Sequence, residues 1–304
     1  MTDNIRWLEA RLNGEGAPVV IDGGMGTELE KSGVPMDPVA WSARALLSHP
    51  EQVRCLHESY IHAGAEVIIT NTFASARHML EPAGLGDQVG TVNRRAVELA
   101  LEARDHAAVT PVAVAGSICE WVSADDPKWN RSSAIADSVR EQAEVLTNSG
   151  VDLIAFEMCE ISEHACAAIQ AGLEFDLPLW LGLSARSFQG QAALSVFDDA
   201  ERDFESLVGS LAGYPAMVMN IMHTPIRDID EALELVRRYW SGPVGIYPES
   251  GYFKMPNWQF VDIIEPAKLV KLARCWVGDG VRLVGGCCGL GPEHIAALRA
   301  ALND

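Results

Sequence analysis

The sequence predicts a single (β/α)8 barrel over residues 1–304. Three observations carry that expectation. Short apolar, β-branched runs alternate strictly with longer amphipathic stretches, and the pair repeats eight times. Eight such units in about 300 residues is the count and size of this barrel. No Gly-x-Gly-x-x-Gly follows any of the apolar runs, which counts against a doubly wound sheet.

Each element has its own local reason. The strand candidates are 19–22 (VVID), 66–70 (EVIIT), 112–115 (VAVA), 153–156 (LIAF), 179–183 (LWLGL), 216–222 (AMVMNIM), 244–247 (VGIY) and 282–284 (RLV). All are too short for a typical helix, and most are bounded by Gly, Pro or polar residues. The first helical stretch, 50–64, opens on Pro50 and closes on Gly64. The next, 87–107, carries a 3.6-residue stripe at Val92, Ala96, Leu99, Ala100 and Ala103. Stretch 132–150 again ends in glycine. Stretches 161–175, 201–213, 229–240, 262–276 and 292–302 complete the alternation.

Composition narrows the function. With 42 acidic against 23 basic residues the formal charge is −19, which argues against nucleic acid or anionic membranes as partners. The first residues lack the basic and apolar regions of a signal peptide, and no run of about 18 apolar residues is present. The expected location is the cytoplasm. Seven cysteines (Cys55, Cys119, Cys159, Cys166, Cys275, Cys287 and Cys288) are an odd, scattered set. They read as reduced thiols or ligands rather than a disulfide framework.

In such barrels chemistry gathers at the C-terminal ends of the strands. The residues just past the strands are Asp22, Asn71, Ser117, Glu157, Ser184, His223, Tyr247 with Glu249, and Cys287 with Cys288. Turns favour Asp, Asn and Ser on their own account. The set gains weight from its Glu, its His and its cysteine pair. Adjacent Cα atoms lie about 3.8 Å apart, below the usual disulfide range. The glycines around Cys287 and Cys288 give them little to pack against, and permit both thiolates to turn toward one point. Zinc accepts such ligands in a tetrahedral shell whose fourth position stays open in catalytic sites. A third ligand must come from another strand end, and His223, Cys119 and Cys159 are the candidates.

With these residues in view, the chain resembles the homocysteine S-methyltransferase family. The likeness runs through VVIDGGMGTELE, YIHAGAEVIITNTFASA, GSI, DLIAFE, VGIYPESG and GGCCG, which together span essentially the whole chain. The resemblance implies methyl transfer to the thiolate of homocysteine or a close analogue, held on zinc, giving methionine. It maps two zinc ligands onto Cys287 and Cys288. The family's third cysteine falls at His223 when the following Thr224-Pro225 turn is the anchor. Anchoring on Asn220 instead puts Ile221 there, which binds no metal. The resemblance also places Asp22 and Gly23 against the amino-acid substrate and Glu157 on its ammonium group, with Thr72 and Phe73 shaping the pocket. Where the family often has Tyr-Pro-Asn, this chain has Tyr247-Pro248-Glu249.

The expected methyl donor is a sulfonium or quaternary ammonium compound, for which tryptophans supply cation–π surface. Trp41, Trp121, Trp129 and Trp258 lie in loop-like segments. Two rival readings stand beside this one. A Cys-Cys-His zinc with bound water, and Glu157 as general base, makes a hydrolase or lyase. A family member without activity is the other.

Overall fold

The computed structural model describes residues 5–122, 126–254 and 259–303. Its central sheet has eight parallel strands: β1 (Val19–Val20), β2 (Val67–Ile69), β3 (Ala113–Cys119), β4 (Leu153–Cys159), β5 (Leu179–Leu183), β6 (Val218–Pro225), β7 (Val244–Glu249) and β8 (Leu283–Val284). Neighbours pair in chain order, and β8 returns to β1 in register Val19↔Leu283. A parallel bridge between Ile21 and Val67 closes the ring onto β2. A helix follows every strand, the last of them Pro292–Leu302. This is the (β/α)8 barrel that the alternation predicts.

The period-two alternation of the strands divides the core into two layers. Val19, Ile21, Ala113, Ala155, Trp180, Val218 and Leu283 fill the inside of the barrel. Val20, Ile68, Val114, Ile154, Leu181, Ile221 and Val284 face the helices. Helix Arg6–Leu12, which the sequence reading does not contain, adds Leu8 and Leu12 to the inner layer and packs beneath β1.

At the C-terminal ends two strands depart from regular pairing. The β4–β5 register shifts between Phe156 and Cys159, and the β6–β7 register between Met222 and Pro225. In each case the bulged strand spends three steps where its partner spends two. The extra residue takes a positive φ, +55° at Met158 and +45° at His223, a backbone state rare for side chains of this size. Two further insertions crown this end. Hairpin Ala185–Arg186/Ser195–Val196 follows β5, and hairpin Tyr252–Lys254/Gln259–Val261 follows β7.

Candidate active site

A cavity of about 450 Å³ opens at the C-terminal face of the barrel. Of the residues expected from the sequence, Asp22, Gly23, Asn71, Phe73, Glu157, His223, Tyr247, Glu249, Cys287 and Cys288 line it. Thr72 does not. Its side chain is fully buried and donates to the carbonyl of Ser117 at 2.7 Å, with Thr70 Oγ1 also 2.7 Å away. Thr72 therefore braces β2 against β3, and its neighbours Thr70 and Asn71 take the wall positions. Ser184 is also turned away, toward the thioether of Met222 at 3.1 Å.

The bulges decide what reaches the cavity. Along β6, Val218 and Met222 belong to the inner layer and Met219 and Ile221 to the outer. Strict alternation would send the residue after Met222 outward. The bulge lets Met222 and His223 both face in, as it does for Glu157 and Met158 on β4.

The loop after β8 presents the cysteines. Cys287 N–H donates to Pro248 O at 2.9 Å, and Cys288 O accepts from Ser250 N–H at 3.0 Å, tying the loop to the end of β7. Gly289 has φ +82°, and a Cβ on it would stand 2.1 Å from Ser250 O. A Cβ on Gly24 would stand 2.6 Å from Cys287 O. Glycine at Gly289 lets the CCG loop press on the end of β7, and glycine at Gly24 lets the GGM loop press on the CCG loop.

One donor atom each of His223, Cys287 and Cys288 fall within 4.8 Å of one another, the one such cluster of His, Cys, Asp and Glu among the described residues. Cys287 Sγ stands 3.4 Å from His223 Nδ1. Donors on a zinc tetrahedron are separated by about 3.5–3.8 Å, so this donor set fits such an ion. Cys119 and Cys159 stand apart from it. Cys119 accepts from Trp121 N–H at 3.3 Å inside the barrel, and Cys159 belongs to the outer layer against the helices.

Electrostatics within the site are strained in a consistent way. The neighbouring Cys288 thiol, together with burial, pushes the Cys287 thiol well above its ordinary pKa. Burial disfavours protonated His223, but its contact with Cys287 and the charge of Glu249 outweigh burial and raise the imidazole to about 9. On its far side, His223 Nε2 lies 3.6 Å from Glu249 Oε2, and the other Glu249 oxygen lies 3.7 Å from Arg186. Phe197 touches both Arg186, 3.7 Å from its ring centre, and the His223 ring, 4.4 Å away centre to centre.

The acids Asp22 and Glu157 are equally constrained. Asp22 is 2% exposed and accepts from Ile69 N–H at 2.7 Å. Burial, with Glu157 nearby, raises its carboxyl well above the usual range. Glu157 accepts from Ser117 Oγ and from Tyr247 OH at 3.2 Å; burial still raises it. Buried carboxylates of this kind are stabilised by an ammonium group. Trp41, Phe73 and Trp121 form an aromatic wall, with Trp41 edge-on to Phe73 at 6.3 Å. Trp129 is not part of it; it is buried beside His78 and under Lys128. Trp258 lies outside the described residues.

Sequence reasoning missed Arg186, Phe197, Asp198 and Met158, which also line the cavity. The first three arrive on or beside the hairpin after β5, whose sequence, ARSFQGQAALSVFDD, carries no catalytic pattern. Met158 lies past the strand 153–156 that the sequence predicts, and its apolar side chain gives no sign of a site.

Comparison with known proteins agrees with the geometry. The family model described as homocysteine S-methyltransferase matches residues 19–302. Homocysteine S-methyltransferase 2 of Zea mays is 28% identical, over 98% of this chain and 92% of its own. A selenocysteine methyltransferase of Astragalus bisulcatus is 29% identical, over 96% of this chain and 95% of its own. Among solved structures, the metallated form of the homocysteine methyltransferase MmuM from Escherichia coli superposes with TM-score 0.76 at 26% identity, covering 98% of this chain and 99% of its own.

Proposed function

Because this chain belongs to the homocysteine S-methyltransferase family, and is a methyltransferase of that kind, we propose that its acceptor is the sulfur of homocysteine or a close thiol or selenol analogue. We further propose that His223, Cys287 and Cys288 hold zinc. The observation that carries the reading is their convergence in a cavity that acidic and aromatic side chains also line.

When bound, zinc supplies a deprotonated thiol at neutral pH, where a free thiol of pKa about 8.5 is mostly protonated. The chain's own residues do the rest. Asp22 and Glu157 take the ammonium group of the acceptor, and Ser117 and Tyr247 fix the Glu157 carboxylate for that contact. The backbone of Gly23 allows the substrate close approach. Trp41, Phe73, Trp121 and Phe197 exclude water and offer ring faces to a cationic sulfonium or quaternary ammonium donor. Asp37, Asp198 and Glu249 add negative charge to the same space. The acceptor sulfur attacks the methyl carbon in line, the donor's C–S or C–N bond breaks, and the donor leaves neutral. Positioning supplies most of the acceleration.

The test is methionine formation from homocysteine against sulfonium and quaternary ammonium donors, with and without a chelator. Chelator-sensitive product with at least one cationic donor is expected. No product from any donor, with metal bound, would overturn the assignment. Among the described residues, no helix is long and apolar enough to cross a membrane.

A further inference from the structure

We propose that Glu249 is the positioning residue for His223: its carboxylate accepts the hydrogen bond from Nε2–H and so leaves Nδ1, unprotonated, to face the metal beside Cys287. The inference rests on the proposed metal site and names what makes a histidine work there. The imidazole is held from three directions. Nδ1 lies 3.4 Å from Cys287 Sγ, Nε2 lies 3.6 Å from Glu249 Oε2, and the Phe197 ring lies 4.4 Å from the imidazole ring, centre to centre.

Glu249 is itself fixed. Its other oxygen faces Arg186 Nη2 at 3.7 Å, and the Arg186 guanidinium lies over the Phe197 ring at 3.7 Å. Arg186, Phe197, His223 and Glu249 therefore form a closed ring of contacts. At 3.6 Å the His–Glu contact is an ion-pair distance; a shift of roughly 0.6 Å makes it a hydrogen bond. A neutral imidazole carries its one proton on either nitrogen, and the partner of one nitrogen decides which nitrogen is left to bind.

The pairing also has a consequence for reactivity. A histidine ligand leaves the metal site one charge less negative than a cysteine ligand, which holds a substrate thiolate more tightly and makes it less nucleophilic. A carboxylate on the far nitrogen raises the basicity of the imidazole and returns part of that donor strength. Glu249 is 7% exposed, so solvent screens it little.

The experiment measures zinc affinity of the full chain by competition with a chromophoric chelator, for the parent, Glu249→Gln, His223→Cys and the double variant. Thermal melts check that each variant is folded. Loss of zinc affinity of about 10–100-fold is expected for Glu249→Gln in the parent, and no loss in the His223→Cys background, where no imidazole remains to orient. Equal losses in both backgrounds would reduce Glu249 to a general negative charge and overturn the proposal. Unchanged affinity in the parent would overturn it too. His223→Ala separates the two levels: if that variant binds zinc as the parent does, the metal-site reading itself fails.

Discussion

The backbone N–H of Met158 points at the thioether of Met222, 3.2 Å away across the top of the barrel. Each methionine sits in one of the two strand bulges, of which the β4 bulge turns Met158 into the cavity beside Glu157 and the β6 bulge turns in His223 beside Met222. The contact links the strand that carries Glu157 to the strand that carries His223. Ser184 Oγ also approaches that sulfur, at 3.1 Å. Replacing Met222 by Leu keeps the volume and removes the acceptor. Such a swap costs roughly 1 kcal/mol in global stability, measured by urea unfolding. The larger effect is expected in the site: several-fold weaker zinc binding and a raised KM together. A variant with unchanged zinc affinity and KM would show that the bulges hold independently.

His223→Ala is expected to purify with a small fraction of the parent's zinc, while His223→Cys retains it. Cys119→Ser and Cys159→Ser leave zinc content unchanged, because Cys119 is engaged below the cavity and Cys159 faces the helices. Metal analysis of the purified proteins checks all four. Zinc loss in either serine variant, with His223→Ala unaffected, would move the third ligand.

How much of this was legible in the sequence follows from the range of the interactions involved. The alternation of eight strands and helices is written in local hydrophobic period, and so the barrel is legible. The cysteine pair and Asp22, Glu157 and Glu249 are legible as residues just past strand ends. Whether a residue there faces in is another matter. His223 reaches the cavity only through a bulge, set by pairing with a strand more than twenty residues away, and its neighbour pattern says outward. Thr72, three residues past β2, is turned from the cavity by its hydrogen bonds to Ser117 O and Thr70 Oγ1, which join residues about 45 positions apart as well as near neighbours. Arg186 and Phe197 were invisible because a hairpin folds them back over the site, and nothing in their local sequence marks that return.

Glu157→Gln keeps the hydrogen-bond acceptor for Ser117 or Tyr247 and removes the charge. It is expected to raise the homocysteine KM by about 10–100-fold, corresponding to about 1.4–2.7 kcal/mol, with zinc content unchanged. Tyr247→Phe removes one of the two donors to Glu157 and is expected to raise KM less. Steady-state kinetics with metal analysis on the same samples distinguishes a substrate role from a structural one. Loss of zinc in Glu157→Gln would make the residue part of the metal site's scaffold.

Glu120, at the end of β3, gives a pH dependence that does not involve the reaction. Its Oε1 accepts from Glu160 N–H at 2.7 Å and Ile161 N–H at 3.0 Å, while Oε2 is buried with no hydrogen-bond partner. Burial raises its pKa to about 7, from 4.5 in the unfolded chain. The folded state therefore binds this proton more tightly than the unfolded one. Its stabilising contribution is fully present below pH 4.5 and is lost as pH rises from there through about 7. Glu120→Gln carries no charge to bury and keeps an acceptor for the two backbone donors. The variant is expected to gain on the parent as pH rises, reaching on the order of 2–3 kcal/mol at pH 8. Urea unfolding at pH 5 and pH 8 measures it; a parent–variant difference that does not grow between those two values contradicts the burial of an ionised Glu120.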